Sequence, residues 1–470
     1  MKIIKNYLWN VSYQLFVILV PMITMPYISR VLGPNGVGVN SYTNSIAQYF
    51  ILFGSIGIAL YGNRQIAFVR DDRNALTRTF WDLTALRFVT ILISLIVYVF
   101  YLMLVHKYRN YLMIQGIMIL AAAFDISWFF MGIENFRVTV LRSTFVKIFS
   151  LILIFVFVRT RADTGMYIFI LGISTLLGNL TLFPYLKEFI DIPKFKEINI
   201  FKYVRPSIEL FIPQVAIQVY LVLNKTMLGS LVNVNASGFY DNTDKIIRIV
   251  LAVVTATGTV LLPHIANQFS RGDLQGLKRV FKMSFDFVTL VTIPLVFGVA
   301  SIAHKFAILY FGDEFAIVGE LLVIECIAAL FISWDNALGQ QYLLPTNQTR
   351  KYTRAVIVGA VVNIVFNIPL ILAFGVVGSM WATVLSEVAV TALMLVQMRD
   401  EFNLSELFRD FPKIFFAGLI MYVSVRLLDS RLGISWGAVI CEILMGCTIY
   451  VILILLLRPR ILKRRTFLSL

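Results

Sequence analysis

From Ile91 to Val105 the chain reads ILISLIVYVFYLMLV, and no Asp, Glu, Lys or Arg occurs between Arg87 and Lys107. Runs of this kind restrict what the chain can become. Crossing a hydrocarbon core about 30 Å thick takes roughly 20 mostly apolar helical residues. Lipid supplies no hydrogen bonds, so the backbone must close its own, by helix or by sealed barrel. The apolar runs here are continuous and do not alternate over ten-residue segments, which selects helices over barrel strands. Only 14% of residues are charged and the mean hydropathy is +0.83, against roughly 25% charged residues in an ordinary soluble protein. The composition therefore predicts an all-α polytopic membrane protein. A secretory signal peptide is the competing reading of the first run, because Lys2 and Lys5 precede it. That run, from about Trp9 to Ser29, is too long for one, contains Pro21 and Pro26, and lacks a small-residue cleavage site.

Apolar windows separated by charged or Gly/Pro breaks give fourteen candidate helices, centred near Leu19, Leu52, Ser94, Leu120, Leu151, Leu176, Ile217, Thr257, Ile293, Leu330, Phe366, Glu387, Leu419 and Ile449. The placement of basic loops tests that count, since short Lys/Arg-rich loops stay in the cytoplasm. With the N-terminus inside, only Arg30, Lys107, Arg109, Arg159, Arg161, Lys305 and Arg431 of the 41 lysines and arginines fall on the outer side. A miscounted helix would invert every later loop, yet the bias persists to the end, so both termini are expected in the cytoplasm. The net charge of +15 then reflects basic inner loops facing anionic lipid, and no nucleic-acid partner is implied.

The chain also carries a weak internal repeat. RVLGPNGVGVNSYTNSI (Arg30 to Ile46) aligns with TMLGSLVNVNASGFYDNTDKI (Thr226 to Ile246), bringing Leu32-Gly33 onto Leu228-Gly229 and Gly38, Thr43 and Ile46 onto Gly238, Thr243 and Ile246. RDDRNALTRTF from Arg70 resembles RGDLQGLKRVF from Arg271 at nearly the same offset of about 200 residues. Six spans separate the partners, and an even number makes the two halves parallel, as in two-lobed transporters. The expected organisation is an N-lobe over 1–203, a C-lobe over 204–403, and two extra helices over 404–470.

No G-x-x-x-x-G-K-[ST] motif occurs, so no nucleotide-phosphate cradle is expected; GPNGVG at Gly33–Gly38 lacks the lysine and reads as a turn. Cys326, Cys441 and Cys447 lie in apolar runs without metal-ligand spacing, and His106, His264 and His304 are scattered, so neither a metal nor another cofactor is indicated. Outer loops of roughly a dozen residues leave little room to gather catalytic acids. A transporter is expected over an enzyme.

Ionisable side chains within spans cost roughly 2.5–3.5 kcal/mol each and are functional candidates by default. The cationic candidates are Arg87, Lys147, Lys225, Lys245 and Arg248, with Arg30 at the polar edge of the first helix. The acidic candidates, for ion coupling or for buried pairing, are Asp125, Glu209, Glu325, Asp335 and Glu387. At about 1.5 Å per residue, Arg87, Lys147 and Asp125 reach similar depths, roughly 8–11 Å in from the cytoplasmic face. Asp125, inside AAAFDISWFFMGIEN, is thus either a structural counter-ion for Arg87 or Lys147, or a group that tunes them while an anionic head group is absent. Lys225, Lys245 and Arg248 fall near the outer end of their helices, where snorkelling to the interface is the alternative to a binding role.

PYISRVLGPNGVGVNSY (Pro26 to Tyr42), FDISWFFMGIEN (Phe124 to Asn135), LNKTMLG (Leu223 to Gly229), GFYDNTDKI (Gly238 to Ile246) and GTVLLPHIAN (Gly258 to Asn267) occur in order along the chain. In combination they closely resemble the bacterial polysaccharide repeat-unit flippases of the Wzx type. Their superfamily also holds multidrug-and-toxin exporters and the lipid II flippase. The resemblance implies two six-helix lobes around a V-shaped cationic cavity. It implies a substrate as well, an undecaprenyl-pyrophosphate-linked oligosaccharide carried from the inner to the outer leaflet of the cytoplasmic membrane for capsule, exopolysaccharide or O-antigen synthesis. A polysaccharide polymerase and chain-length machinery are the implied protein partners. Two rivals stay open: a cation-coupled drug exporter of the same superfamily, with Glu209 and Asp335 as its ion-handling pair, and a membrane glycan polymerase or ligase.

Overall fold

The computed structural model describes residues 2–192, 198–270 and 273–463, with side chains described there except at 2–19, 210, 212–214, 216, 217, 219–221, 256–270, 274, 462 and 463. No strand occurs among the described residues. Two compact units divide the chain, Met1–Gly238 and Phe239–Leu470.

The first unit contains α1 (Lys2–Ser55), α2 (Ile58–Val69), α3 (Arg73–Leu104), α4 (Arg109–Ala123), α5 (Ser127–Gly132), α6 (Phe136–Phe157), α7 (Thr164–Leu180), α8 (Phe201–Leu231) and the first turn of α9 (Val234–Ser270). At 54 residues, α1 as a straight rod would extend about 80 Å, far beyond one membrane thickness. It breaks at Gly33, whose φ of 67° is open to glycine at little cost. Pro34 follows, with no amide hydrogen to carry the ladder across the break. Before the break, the Tyr27 hydroxyl donates to the Val158 carbonyl at the end of α6, 2.7 Å away. Beyond it, α1 is tied along α3, where Ser94 and Thr90 donate to the Phe50 and Gly54 carbonyls, each at 2.6 Å.

The second unit continues with α10 (Leu274–Phe311), α11 (Ile317–Asp335), a π-helical turn over Asn336–Leu343, α12 (Thr349–Met398), α13 (Leu404–Leu407), α14 (Phe411–Asp429), α15 (Trp436–Leu457) and α16 (Arg460–Lys463). The 50-residue α12 breaks at Gly375, φ 60°, and there it reverses. Ser386 donates to the Gly359 carbonyl at 2.7 Å, a pair that would stand about 40 Å apart on a straight helix. A Cβ on Gly378 would lie 1.9 Å from the Leu370 oxygen, so the two arms leave no space for a side chain there. Divided at Gly33 and Gly375, the long helices correspond one to one with the apolar runs of the sequence. Ten of the undivided helices are long and apolar enough to cross a membrane, with only the described residues searched.

The core of each unit contains a stacked Phe–Trp pair. Phe80 stacks on Trp128 at 5.7 Å between ring centroids and Phe285 on Trp334 at 6.0 Å, both at an interplanar angle of 25°. In the second unit the indole Nε1 of Trp334 donates to Thr289 at 3.1 Å. In the first unit, Trp128 Nε1 and the Thr84 hydroxyl are buried without a partner.

Lys305, which the sequence places among the outer basic residues, belongs to α10 and is buried. Its ammonium contacts Asp429 Oδ1 at 2.9 Å and Glu442 Oε1 at 2.7 Å, which ties α14 and α15 to α10. Two carboxylates and a carbonyl of Asp429 at 2.8 Å supply what water would otherwise give a buried ammonium.

Candidate functional site

Asp125 sits in the break between α4 and α5 and accepts hydrogen bonds from the Ser127 amide at 3.1 Å and the Ser127 hydroxyl at 2.5 Å. The last carbonyls of α4 have no intrahelical donors, and the negative end of the helix dipole collects there. Asn179 donates to the Ala121 carbonyl at 2.7 Å and Arg87 Nε to the Ala122 carbonyl at 2.7 Å. Arg87, 3% exposed, then reaches Asp125 Oδ2 with Nη2 at 3.4 Å. A second guanidinium comes from α6, with Arg142 Nη2 3.6 Å from Asp125 Oδ1. Two arginines thus share one carboxylate. Arg87 Nη1 and Arg142 Nε remain buried without hydrogen-bond partners, so the cluster keeps both an excess positive charge and spare donors for a further anion.

Lys147 lies on α6 five residues beyond Arg142 and is half-buried; Arg142 is the second cation measured at Asp125. Arg142 is not among the cations that the search for charges within spans singles out. Arg30 is exposed near the Gly33 break, and Lys225 is half-buried near the end of α8. Glu209 is exposed on α8 and pairs with Arg205 at 3.1 Å, one turn back; it belongs to no buried pair.

In the second unit the expected cations arrive with their own acids. Lys245 pairs with Asp241 at 2.5 Å and Arg248 with Asp244 at 2.9 Å, each one turn apart along α9. The carboxylates are largely covered (8% and 13% exposed), whereas the Lys245 and Arg248 side chains are 41% and 50% exposed. Glu325, buried on α11, stands within electrostatic range of Arg248. Positive charge is therefore balanced here, in contrast to Arg87 and Arg142. The signal missed in the sequence is the i,i+4 spacing in YDNTDKIIR.

Asp335 and Glu387 meet across α11 and α12, close enough to share a hydrogen bond. Thr391 donates to Asp335 Oδ1 at 2.6 Å, and Tyr352 lies beside both carboxyl groups. No group of three or more His, Cys, Asp or Glu residues that could hold a metal occurs among the described residues.

These features are set in a chain whose residues 3–269 match the polysaccharide biosynthesis protein family. The chain belongs to that family. A protein of Escherichia coli (strain K12) named as an O-antigen transporter is 24% identical over 391 residues, covering 81% of this chain and 93% of its own. Among solved structures, the lipid II flippase MurJ in its inward closed conformation aligns with a TM-score of 0.77 at 15% identity, over 95% of this chain and 98% of that one. An inward-facing multidrug resistance MATE family transporter aligns at 0.61 and 12% identity, over 82% and 98%. The polysaccharide biosynthesis family member described here accordingly has the fold shared by those two proteins, and it is a multi-pass membrane protein.

Proposed function

We propose that the chain is a flippase for lipid-linked glycans, moving undecaprenyl-pyrophosphate-linked oligosaccharide repeat units from the inner to the outer leaflet of a bacterial cytoplasmic membrane. The observation that carries this reading is the family match over residues 3–269, in a chain that also buries two arginines with unspent donors. Passing a pyrophosphate and several sugars through hydrocarbon is heavily penalised unless protein groups replace water. Arg87 and Arg142 offer such replacement to the pyrophosphate, with Asp125 as their internal counter-ion between transport events. Arg30, Lys147 and Lys225 are the further candidate cations of the first unit, and Lys245 and Arg248, held over Asp241 and Asp244, are those of the second. The Asp335–Glu387 pair is the proposed coupling site, binding and releasing a proton as the transporter cycles.

Deleting the gene tests the proposal. Lipid-linked repeat units should then accumulate on the cytoplasmic leaflet, and plasmid-borne wild-type protein should return them to the outer leaflet. Normal outer-leaflet delivery in the deletion strain, with no second translocator, would overturn it. A second reading, a cation-coupled exporter of small molecules, is favoured by the Asp335–Glu387 pair alone. It predicts drug sensitivity in the deletion strain and unchanged glycan lipid.

A further inference from the structure

Within the first unit, α1, α2 and α8 line an open cavity of about 220 Å³ whose described lining residues include neither Arg87 nor Asp125. Among its described lining residues there is no Asp, Glu, Lys, Arg or His. Hydrogen bonding comes from the Gln48 and Gln218 amides and the Ser55 and Tyr49 hydroxyls, and a flat apolar face comes from Phe211. The Tyr49 hydroxyl is buried and faces Thr226 without a hydrogen bond of good geometry. Gly57, at φ 72°, lets the start of α2 approach α8 closely at the edge of this lining: an added Cβ would stand 2.9 Å from the Ser207 carbonyl oxygen.

We propose that this cavity is a subsite for one uncharged sugar ring of the transported glycan, an inference that rests on the flippase reading. Size is consistent with it: a hexopyranose displaces the volume of roughly six waters, about 180 Å³ at about 30 Å³ each. A hydrocarbon chain would strand two amides and two hydroxyls against apolar surface, which is costly. An anion would find no positive side chain among the described lining residues. A sugar ring satisfies both halves of the wall, its hydroxyls meeting the amides while a C–H face lies on Phe211. The uncharged lining also divides recognition: the pyrophosphate is met at the arginines, and a neutral sugar here.

Saturation-transfer NMR on the purified full-length protein in detergent tests this directly, with methyl glycosides of glucose, galactose, N-acetylglucosamine and N-acetylgalactosamine as probes and methyl glucuronide as the anionic control. At least one neutral glycoside should receive saturation, and the glucuronide none. Gln218→Leu, at an exposed position, should weaken the bound sugar about tenfold, the worth of roughly 1.4 kcal/mol, and Ala59→Trp should abolish binding by filling the space. Both variants should melt at the wild-type temperature. Binding of none of the neutral probes, or equal binding in wild type and both variants, would overturn the subsite. Because the readout needs no transport, a chain that binds the glycoside yet moves no lipid would refute the flippase reading and leave the subsite standing.

Discussion

The backbones of Gly38 and Gly238, equivalent positions of the internal repeat, are in contact: a Cβ on Gly238 would lie 2.8 Å from the Gly38 nitrogen, and one on Gly38 would lie 2.0 Å from the Val234 oxygen. Beside them the Ser41 and Ser237 hydroxyls are 2.9 Å apart, and Ser45 and Thr226 are 2.8 Å apart. The start of α9 and the end of α8 thereby close on α1 through small residues. This approach must loosen if α1 moves against α8 and α9 during transport. A chain free of Cys326, Cys441 and Cys447 and carrying Ser41→Cys and Ser237→Cys should form a disulfide on mild oxidation, lose transport, and regain it on reduction. Full transport in the oxidised, cross-linked protein would show that the contact stays closed throughout the cycle.

Packing at the same place gives a stability prediction. Gly38→Val must displace the Val234 backbone, not a flexible side chain, and overpacking typically costs about 1–3 kcal/mol. The variant should melt lower than Gly36→Ser, whose nearest neighbours are the Thr164 hydroxyl and the Leu32 side chain. Thermal melting of both proteins in the same detergent checks the order.

Arg87 and Asp125 separate structural from functional need. Removing one partner of a buried pair costs about 3–5 kcal/mol, whereas replacing both with apolar groups is often close to neutral. Arg87→Met should therefore lower abundance and melting temperature, and adding Asp125→Leu should recover part of both, short of the whole because Arg142 then loses its carboxylate. Transport should stay at least about tenfold down in the double variant if the guanidinium meets the substrate. Recovery of transport along with stability would make the pair purely structural.

Asp335→Asn and Glu387→Gln each leave one carboxyl group without its ionisable neighbour. If the pair holds the coupled proton, either variant should transport at a rate that no longer responds to an imposed pH gradient, while folding and abundance stay near wild type. A retained gradient response in both would place coupling elsewhere.

Glu401, just past the end of α12, provides a pH-dependent lock outside the spans. Burial pushes its carboxyl up, but the hydrogen bonds from Lys351 at 2.6 Å, Tyr342 at 2.6 Å and Gln348 at 3.0 Å outweigh that and hold it below the usual carboxylate range. A folded-state pKa below the unfolded value stabilises the protein above the unfolded pKa, near 4.5, and the contribution disappears as pH falls through the folded value. The difference in melting temperature between wild type and Glu401→Gln should be constant from pH 8 to about pH 5 and shrink below that.

Much of the fold was legible because membrane helices announce themselves by length and polarity. The break at Gly33 and the reversal at Gly375 each fall between two apolar windows that the sequence separates. Side-chain pairing was less so. Depth along a span indicated that Asp125 could reach Arg87, but choosing between Arg142 and Lys147 as the second cation depends on how α6 rotates against α4, which no local pattern encodes. Asp241 and Asp244 were overlooked for a different reason: a search for isolated charges passes over acids placed one turn before bases, although that spacing neutralises them. Lys305 was read as a loop residue because a lysine near the end of an apolar run resembles a boundary; its partners Asp429 and Glu442 lie more than a hundred residues away.

Reconstitution tests the account at its centre. Purified protein would be placed in liposomes with lipid-linked oligosaccharides extracted from the host strain, and the fraction accessible to an added glycosidase followed with time. Protein-dependent transfer between leaflets that slows in the Arg87→Met, Asp125→Leu double variant is the predicted result. Transfer no faster than in protein-free vesicles, from protein shown to be folded, would contradict it.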